Sequence, residues 1–229
     1  MMTASAFGPA AEPITVDVWS DVVCPFCYLG DRILQQAIEQ FPHGGAVQVR
    51  YHSFQLNPAF PAGEAIPADE YLARSLRMPA GQIAASHAQL ASRGAEAGLD
   101  FRFEGSFMVN TLDAHRMIHF AKSAGREHDM VDRLFRAEFT DGLNLADHEV
   151  LADLAAGLGL SRDGAAEALA TGAFEDDIRV DLAQARALGI SGVPFFVFDN
   201  KRAVSGAQPV EMFRTALDLS WQDRAAQPA

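Results

Sequence analysis

The hydrophobic period changes twice between residues 14 and 54, and those changes restrict the fold more than any other feature. Ile14-Thr15-Val16-Asp17-Val18-Trp19 alternates and is rich in β-branched side chains, which predicts a strand. From Pro25 onward, Phe26, Leu29, Ile33, Leu34, Ala37, Ile38 and Phe41 fall at helical spacing until Pro42-His43-Gly44-Gly45 stops the run. Val47-Gln48-Val49-Arg50-Tyr51-His52-Ser53-Phe54 then alternates again. A helical crossover of this length joins parallel strands, so the segment is predicted to be βαβ.

The two cysteines of the chain, Cys24 and Cys27, sit where the first strand gives way to the helix, as Cys24-Pro25-Phe26-Cys27. A C-x-x-C pair at such a junction reads as a redox dithiol when the rest of a thioredoxin-type frame follows. It does follow. Phe195 to Phe198 and Arg202 to Ser205 are predicted to form a hairpin across Asp199-Asn200-Lys201, and Pro209 opens a last helix through about Trp221, with residues from Asp223 onward frayed. Between the two halves, about 68–188 is rich in Ala, Leu, Arg and Glu with glycine breaks, and four to six helices are expected. Asp147 and Ser161 mark two of their starts. The expected fold is therefore α/β: a thioredoxin fold over residues 14–66 and 189–222, carrying a large all-helical insertion over 67–188. Residues 1–12 are weakly patterned and read as a tail.

Composition excludes several classes. The formal charge of −12 opposes nucleic-acid binding, which needs clustered Lys and Arg. No apolar run approaches the roughly 20 residues of a membrane-spanning helix, so no membrane partner is expected. Residues 1–13 lack a basic and then apolar leader, which leads to a cytoplasmic expectation. In a reducing compartment, two cysteines point to redox work or metal binding before a structural bridge. A closed zinc site needs four ligands, so no metal is expected from this pair.

Ser20-Asp21-Val22-Val23-Cys24-Pro25-Phe26-Cys27-Tyr28-Leu29-Gly30 resembles the signature of the FrnE-like branch of the DsbA family. Phe54-Gln55-Leu56-Asn57-Pro58, Asn110-Thr111-Leu112-Asp113-Ala114-His115-Arg116 and Gly192-Val193-Pro194-Phe195-Phe196-Val197 extend the resemblance along nearly the whole chain, as does Ser205-Gly206-Ala207-Gln208. It implies a DsbA-like disulfide oxidoreductase acting on protein or small-molecule thiols and disulfides. Cys24 is the expected nucleophile and Cys27 the resolving thiol, since a helix N-terminus favours the anion at Cys24 and Cys27 lies one turn further in. Pro194 is implied to follow a cis peptide and to face the dithiol, with Val193 free to pair with an extended substrate. No bound cofactor is expected beyond the Cys24–Cys27 disulfide itself, with glutathione as a candidate co-substrate.

Two departures from relatives matter. Thioredoxins carry a buried acid about six residues before the first cysteine, where this chain has Val18; Asp17 alternates to the other face. Asp21 beside the motif is either a substitute proton carrier or a turn and capping residue. DsbA has a histidine before its second cysteine, and Phe26 cannot replace its charge, so a less oxidising potential is expected. Phe26 is read either as a substrate-facing surface or as a partly buried helix residue. Asn57, Asn110 and His115 are candidates to line a substrate groove, by resemblance to glutathione-dependent isomerases. His115 and His119 share a helix face, where packing is the simpler reading than metal binding. Phe101, Phe103, Phe107 and Met108 are expected in the core rather than on a peptide-binding patch. Gly206 and Gln208 read as turn and helix-start residues. Two rival functions stay open: a glutathione-dependent transferase or 2-hydroxychromene-2-carboxylate-type isomerase, and a non-catalytic chaperone or binding module.

Overall fold

A computed structural model describes residues 13–225; the tail expected over residues 1–12 lies outside them. The first strand, β1 (Ile14–Ser20), enters helix α1 (Pro25–Gln40) through a tight turn, and β2 (Val47–Ser53) returns beside β1. β1 and β2 are parallel, from Ile14 against Val47 to Ser20 against Ser53. β5 (Phe195–Phe198) and β6 (Arg202–Ser205) complete a sheet of order β2-β1-β5-β6, with β5 antiparallel to β1. Asp199 and Asn200 both take positive φ at the tip of the three-residue hairpin connection, and Lys201 N donates to Phe198 O to close the turn. This is the thioredoxin strand order.

The alternation of β1 sorts its side chains onto two faces. Ile14, Val16 and Val18 join Phe196, Phe198 and Phe213 in the main core, under α1 and the final helix α9 (Val210–Ala225), with the Phe196 and Phe213 rings edge to face. Trp19 points the other way, into a smaller cluster with Ala185 and Ile190 beneath a helix of the insertion. The sheet is thus covered on both faces.

The insertion begins with β3 (Ala65–Pro67), α2 (Ala68–Arg74) and α3 (Ala80–Glu96). It continues through β4 (Phe107–Val109), α4 (Leu112–Lys122), α5 (Glu127–Arg136), α6 (His148–Gly157), α7 (Arg162–Thr171) and α8 (Glu175–Ala187). Seven helices exceed the four to six expected, because the short helices α6 and α7 break at Gly159 and each has its own cap. Asp147 and Ser161 accept from Glu149 N and Gly164 N, as their sequence context predicts. Two features, a short ribbon and a π turn, have no counterpart in the sequence reading. β3 and β4 pair antiparallel inside an otherwise helical block, and α5 runs into a π-helical turn at Ala137–Asp141.

The C-terminal end is also better held than expected. α9 runs past Trp221 to Ala225, and Asp223 and Arg224, read as frayed, are tied to the hairpin, while residues 226–229 of that reading lie outside the described residues. Arg202 binds Asp223 at 2.9 Å, while Arg224 Nε binds Asp199, whose carboxylate also accepts from Thr15 N. Phe101, Phe103 and Phe107 pack against the main core, the expected role.

Candidate active site

Cys24 is the N-cap residue of α1, and Pro25 follows at the position where a missing N–H leaves no bond unmade. The turn closes with Cys24 N donating to Asp21 O, and the helix starts with Cys27 N donating to Cys24 O at 2.9 Å. Both thiols are free, and both are nearly enclosed, Cys24 at 5% exposure and Cys27 at 1%.

Across from them lies the loop before β5. The Val193–Pro194 peptide is cis, and Val193 O accepts from Cys24 Sγ at 3.7 Å. Gly206 N donates to Pro194 O, which ties that loop to the end of β6. Gly206 takes positive φ, and Gln208 Nε2 donates to Ser205 O, so both serve the turn. Gly30, one turn into α1, lets the helix approach this loop: a Cβ there would sit 3.0 Å from Pro194 Cγ.

The two sulfurs differ chemically. Burial pushes the Cys27 thiol well above the ordinary range, and its hydrogen bond to Cys24 and the charge on that sulfur push it further. Asp21 N–H and the Ser20 hydroxyl work against this by bonding Cys27 Sγ. Cys27 therefore holds its proton firmly, and Cys24 is the more accessible of the pair.

Asp21 is neither solvated nor a cap of α1. It is 1% exposed; one carboxylate oxygen accepts from Leu56 N at 2.7 Å and the other lies 3.3 Å from His115 Nε2. His115 Nε2 also lies 3.0 Å from Phe54 O. The groove-lining expectation for His115 fails on burial: at 1% exposure it sits beneath the β1–α1 turn, gripped from both sides. Asn110 is half-buried and joins the start of α4 to the segment after β2, donating to Phe60 O and accepting from Leu112 N and Gln55 Nε2. Asn57 donates to Tyr71 Oη. Phe26 is 43% exposed beside the dithiol. His119 bonds Ser53 and Asp181, and no group of described residues is arranged to hold a metal. A hollow of about 660 Å³ between α2 and α3 takes none of the site residues into its wall.

Sequence reasoning missed three features. Glu138 sits in the π turn with Oε1 accepting from Phe107 N, and burial together with the Asp21 charge drives its pKa up to about 8 against that bond. Its signal was available: with Phe135 and Phe139 it falls at helical spacing on an apolar face. Tyr28, directly after the motif, stacks on Phe135 and meets Phe101 edge to face. His52 bridges Asp17 and Asp181, each at 2.9 Å, with Asp181 arriving from α8.

A dithiol at the start of the first helix of this sheet, opposed by the proline loop before β5, defines a thioredoxin-fold dithiol protein. Residues 15–218 match the DSBA-like thioredoxin domain family, and the chain belongs to that family of thiol–disulfide oxidoreductases. A probable DsbA oxidoreductase of Streptomyces coelicolor is 36% identical, with 94% of this chain and 93% of that one covered and a TM-score of 0.90. YwbO of Bacillus subtilis is 27% identical over 208 residues, 89% of this chain and 96% of its own. The cytosolic disulfide reductase DsbM of Pseudomonas aeruginosa shares the fold at 20% identity and a TM-score of 0.63, over 91% of this chain and 98% of that one. No described helix is long and apolar enough to cross a membrane.

Proposed function

We propose that the protein is a cytoplasmic dithiol–disulfide oxidoreductase of the FrnE-like branch, working through a mixed disulfide on Cys24. The Cys24 thiolate attacks one sulfur of a substrate disulfide; the Cys24–substrate bond forms, the substrate S–S bond breaks, and one substrate thiolate leaves. Cys27 then loses its proton and attacks Cys24 Sγ, releasing the second substrate thiolate. Two electrons have moved from the dithiol to the substrate, and reversal oxidises a substrate dithiol instead. The observation that carries this reading is the asymmetry of the pair: a more accessible Cys24 capping the start of α1, and a more deeply buried Cys27 whose proton is held firmly.

Glutathione is the proposed co-substrate, two molecules returning the disulfide to the dithiol. The related DsbM is a cytosolic reductase whose structure with glutathione supports both parts of this reading. Val193 and Pro194 border the attacking sulfur, and the exposed ring of Phe26 offers an apolar contact for a protein or small-molecule disulfide.

The test is the reduction potential of the Cys24–Cys27 pair in glutathione buffers, with single Cys→Ser controls. A reversible two-electron titration is expected, with Cys27→Ser trapping a mixed disulfide and Cys24→Ser trapping none. Tight glutathione binding without any Cys24–Cys27 disulfide would instead favour the transferase or isomerase chemistry.

A further inference from the structure

The resolving step needs a base, because Cys27 must surrender a proton that its surroundings hold firmly. Val18, where thioredoxins place a buried acid, is an apolar core residue here. Once Cys24 is tied to substrate, Ser20 is the remaining side-chain group that bonds Cys27 Sγ.

Behind Ser20 lies a small cavity of about 10 Å³, walled by Ser20, Ser53 and His115 among Val22, Ile118, Val131 and Phe135. That is the room of one water, which needs two or more polar partners to stay. The tautomer of His115 follows from its contacts. Its Nε2 lies between two acceptors, the Asp21 carboxylate and Phe54 O, so Nε2 carries the hydrogen. Nδ1 then presents a lone pair, and it is buried with no partner among the described residues. A buried base without a partner beside a one-water cavity calls for an explanation.

Resting on the dithiol reading, we infer that the Cys27 proton leaves through Ser20 and a cavity water to His115 Nδ1, with Asp21 holding the resulting imidazolium. As the Cys27–Cys24 bond forms and the Cys24–substrate bond breaks, the thiol proton passes to Ser20 Oγ. The hydroxyl proton passes to the water, and a water proton passes to Nδ1. His115 later returns it by the same path. No oxidant or reductant enters this exchange. The hydroxyl of Ser20 rotates and so can both donate and accept. His115 is a positioning residue, acting through the water. The charged and titratable groups around it are Asp21 in the β1–α1 turn, Tyr51 and His52 of β2 across the cavity, and, behind Ser53, His119 of α4 with Asp181 of α8. Glu138 of the π turn feels the same Asp21 charge, while α5 presents only Val131 and Phe135 to the cavity.

The test mixes the reduced protein rapidly with an aromatic disulfide whose released thiolate absorbs visible light. Wild type should release two equivalents in two phases: attack by Cys24, proportional to disulfide concentration, then resolution by Cys27, independent of it. His115→Gln keeps a donor for Asp21 and Phe54 O but has no basic lone pair. Its second phase should slow by about 100-fold near neutral pH, the scale of lost general-base help, with the first phase within about twofold of wild type. The deficit should close as pH rises and hydroxide takes over the base's role. Ser20→Ala should slow the same phase with the same pH signature. A second phase unchanged in both variants, or a deficit constant with pH, overturns the relay. Absence of a second phase in wild type overturns the dithiol reading instead.

Discussion

His52 should make stability fall in alkali by an amount that one substitution removes. Its ring is clamped between two carboxylates, with Nε2 2.9 Å from Asp17 and Nδ1 2.9 Å from Asp181, while Asp181 also accepts from Ser53 N at 2.8 Å. Burial opposes a charge on His52, but the bonds to Asp17 and Asp181 outweigh it and push the pKa up to about 9. Burial likewise opposes the Asp181 charge, and its bonds to His119 and His52 outweigh that, holding its carboxyl well below the usual range. A histidine raised from about 6.5 contributes stability in full below that pH and loses it as pH rises through the folded value. The interval of about 2.5 units corresponds to roughly 3 kcal/mol. Urea unfolding of wild type and His52→Gln, followed from about pH 6 to about pH 10, measures this directly. Wild type should exceed the variant by about 3 kcal/mol or more at the acid end, since Gln leaves both carboxylates without a charged partner, and the gap should close in alkali. Trp19 stacks on His52 with ring centroids 4.5 Å apart, so in a Trp221→Phe background its emission should rise with a midpoint near 9. A gap that stays constant across the range would refute a charged His52 as the source.

Other substitutions test neighbouring arguments. Glu138→Gln keeps an acceptor for Phe107 N and removes a carboxyl raised from about 4.5 to about 8, so near pH 7 it should stabilise by up to about 3 kcal/mol, a gain that vanishes near pH 4; calorimetry showing a loss at neutral pH would count against the buried-acid reading. Arg116→Met strips donors from the carbonyls of Ala168, Leu169 and Ala173 at the end of α7 and should lower stability by about 3 kcal/mol in urea titration; a loss below about 1 would show that those carbonyls find other partners. Gly30→Ala drives a methyl to 3.0 Å from Pro194 and 3.1 Å from Phe196; overpacking of about 2 kcal/mol should exceed the helix-propensity gain of about 1, lowering Tm, and a raised Tm would show that the proline loop yields.

What was legible in the sequence is what is local. Cys24 and Cys27 declare themselves by spacing, β1 and β2 by alternation, and the β5–β6 hairpin by the polar turn Asp199-Asn200-Lys201 between two strand-like segments. The alternation even assigned Asp17 to the face opposite Val18. It could not supply Asp17's partner, because His52 is completed by Asp181, 129 residues away on α8. The helical spacing of His115 and His119 was visible, but the meaning of His115 depends on Asp21, 94 residues earlier. The end of α9 read as frayed because Asp223 and Arg224 are polar, and only the folded hairpin brings their ion partners alongside. Short helices joined at glycines were undercounted because each glycine break could end one helix or merely interrupt it.

The distribution of polar groups around the dithiol gives the insertion a chemical role. The thioredoxin frame contributes Cys24, Cys27 and the proline loop, but at the usual acid position it offers only Val18, buried among apolar neighbours. The titratable groups that reach the underside of the β1–α1 turn arrive largely from inserted elements: His115 from α4, and Glu138 from the π turn after α5. The same elements clamp the motif sterically, since Phe135 and Phe139 stack on Tyr28, the residue after Cys27. A frame with Val18 at the usual acid position and an insertion that buries His115 against Asp21, under the turn that carries the motif, are two halves of one arrangement. On this argument the helical block does more than shape a substrate surface. It tunes how readily Cys27 gives up its proton, and exchanging its α4 residues should change the resolving rate before it changes what binds.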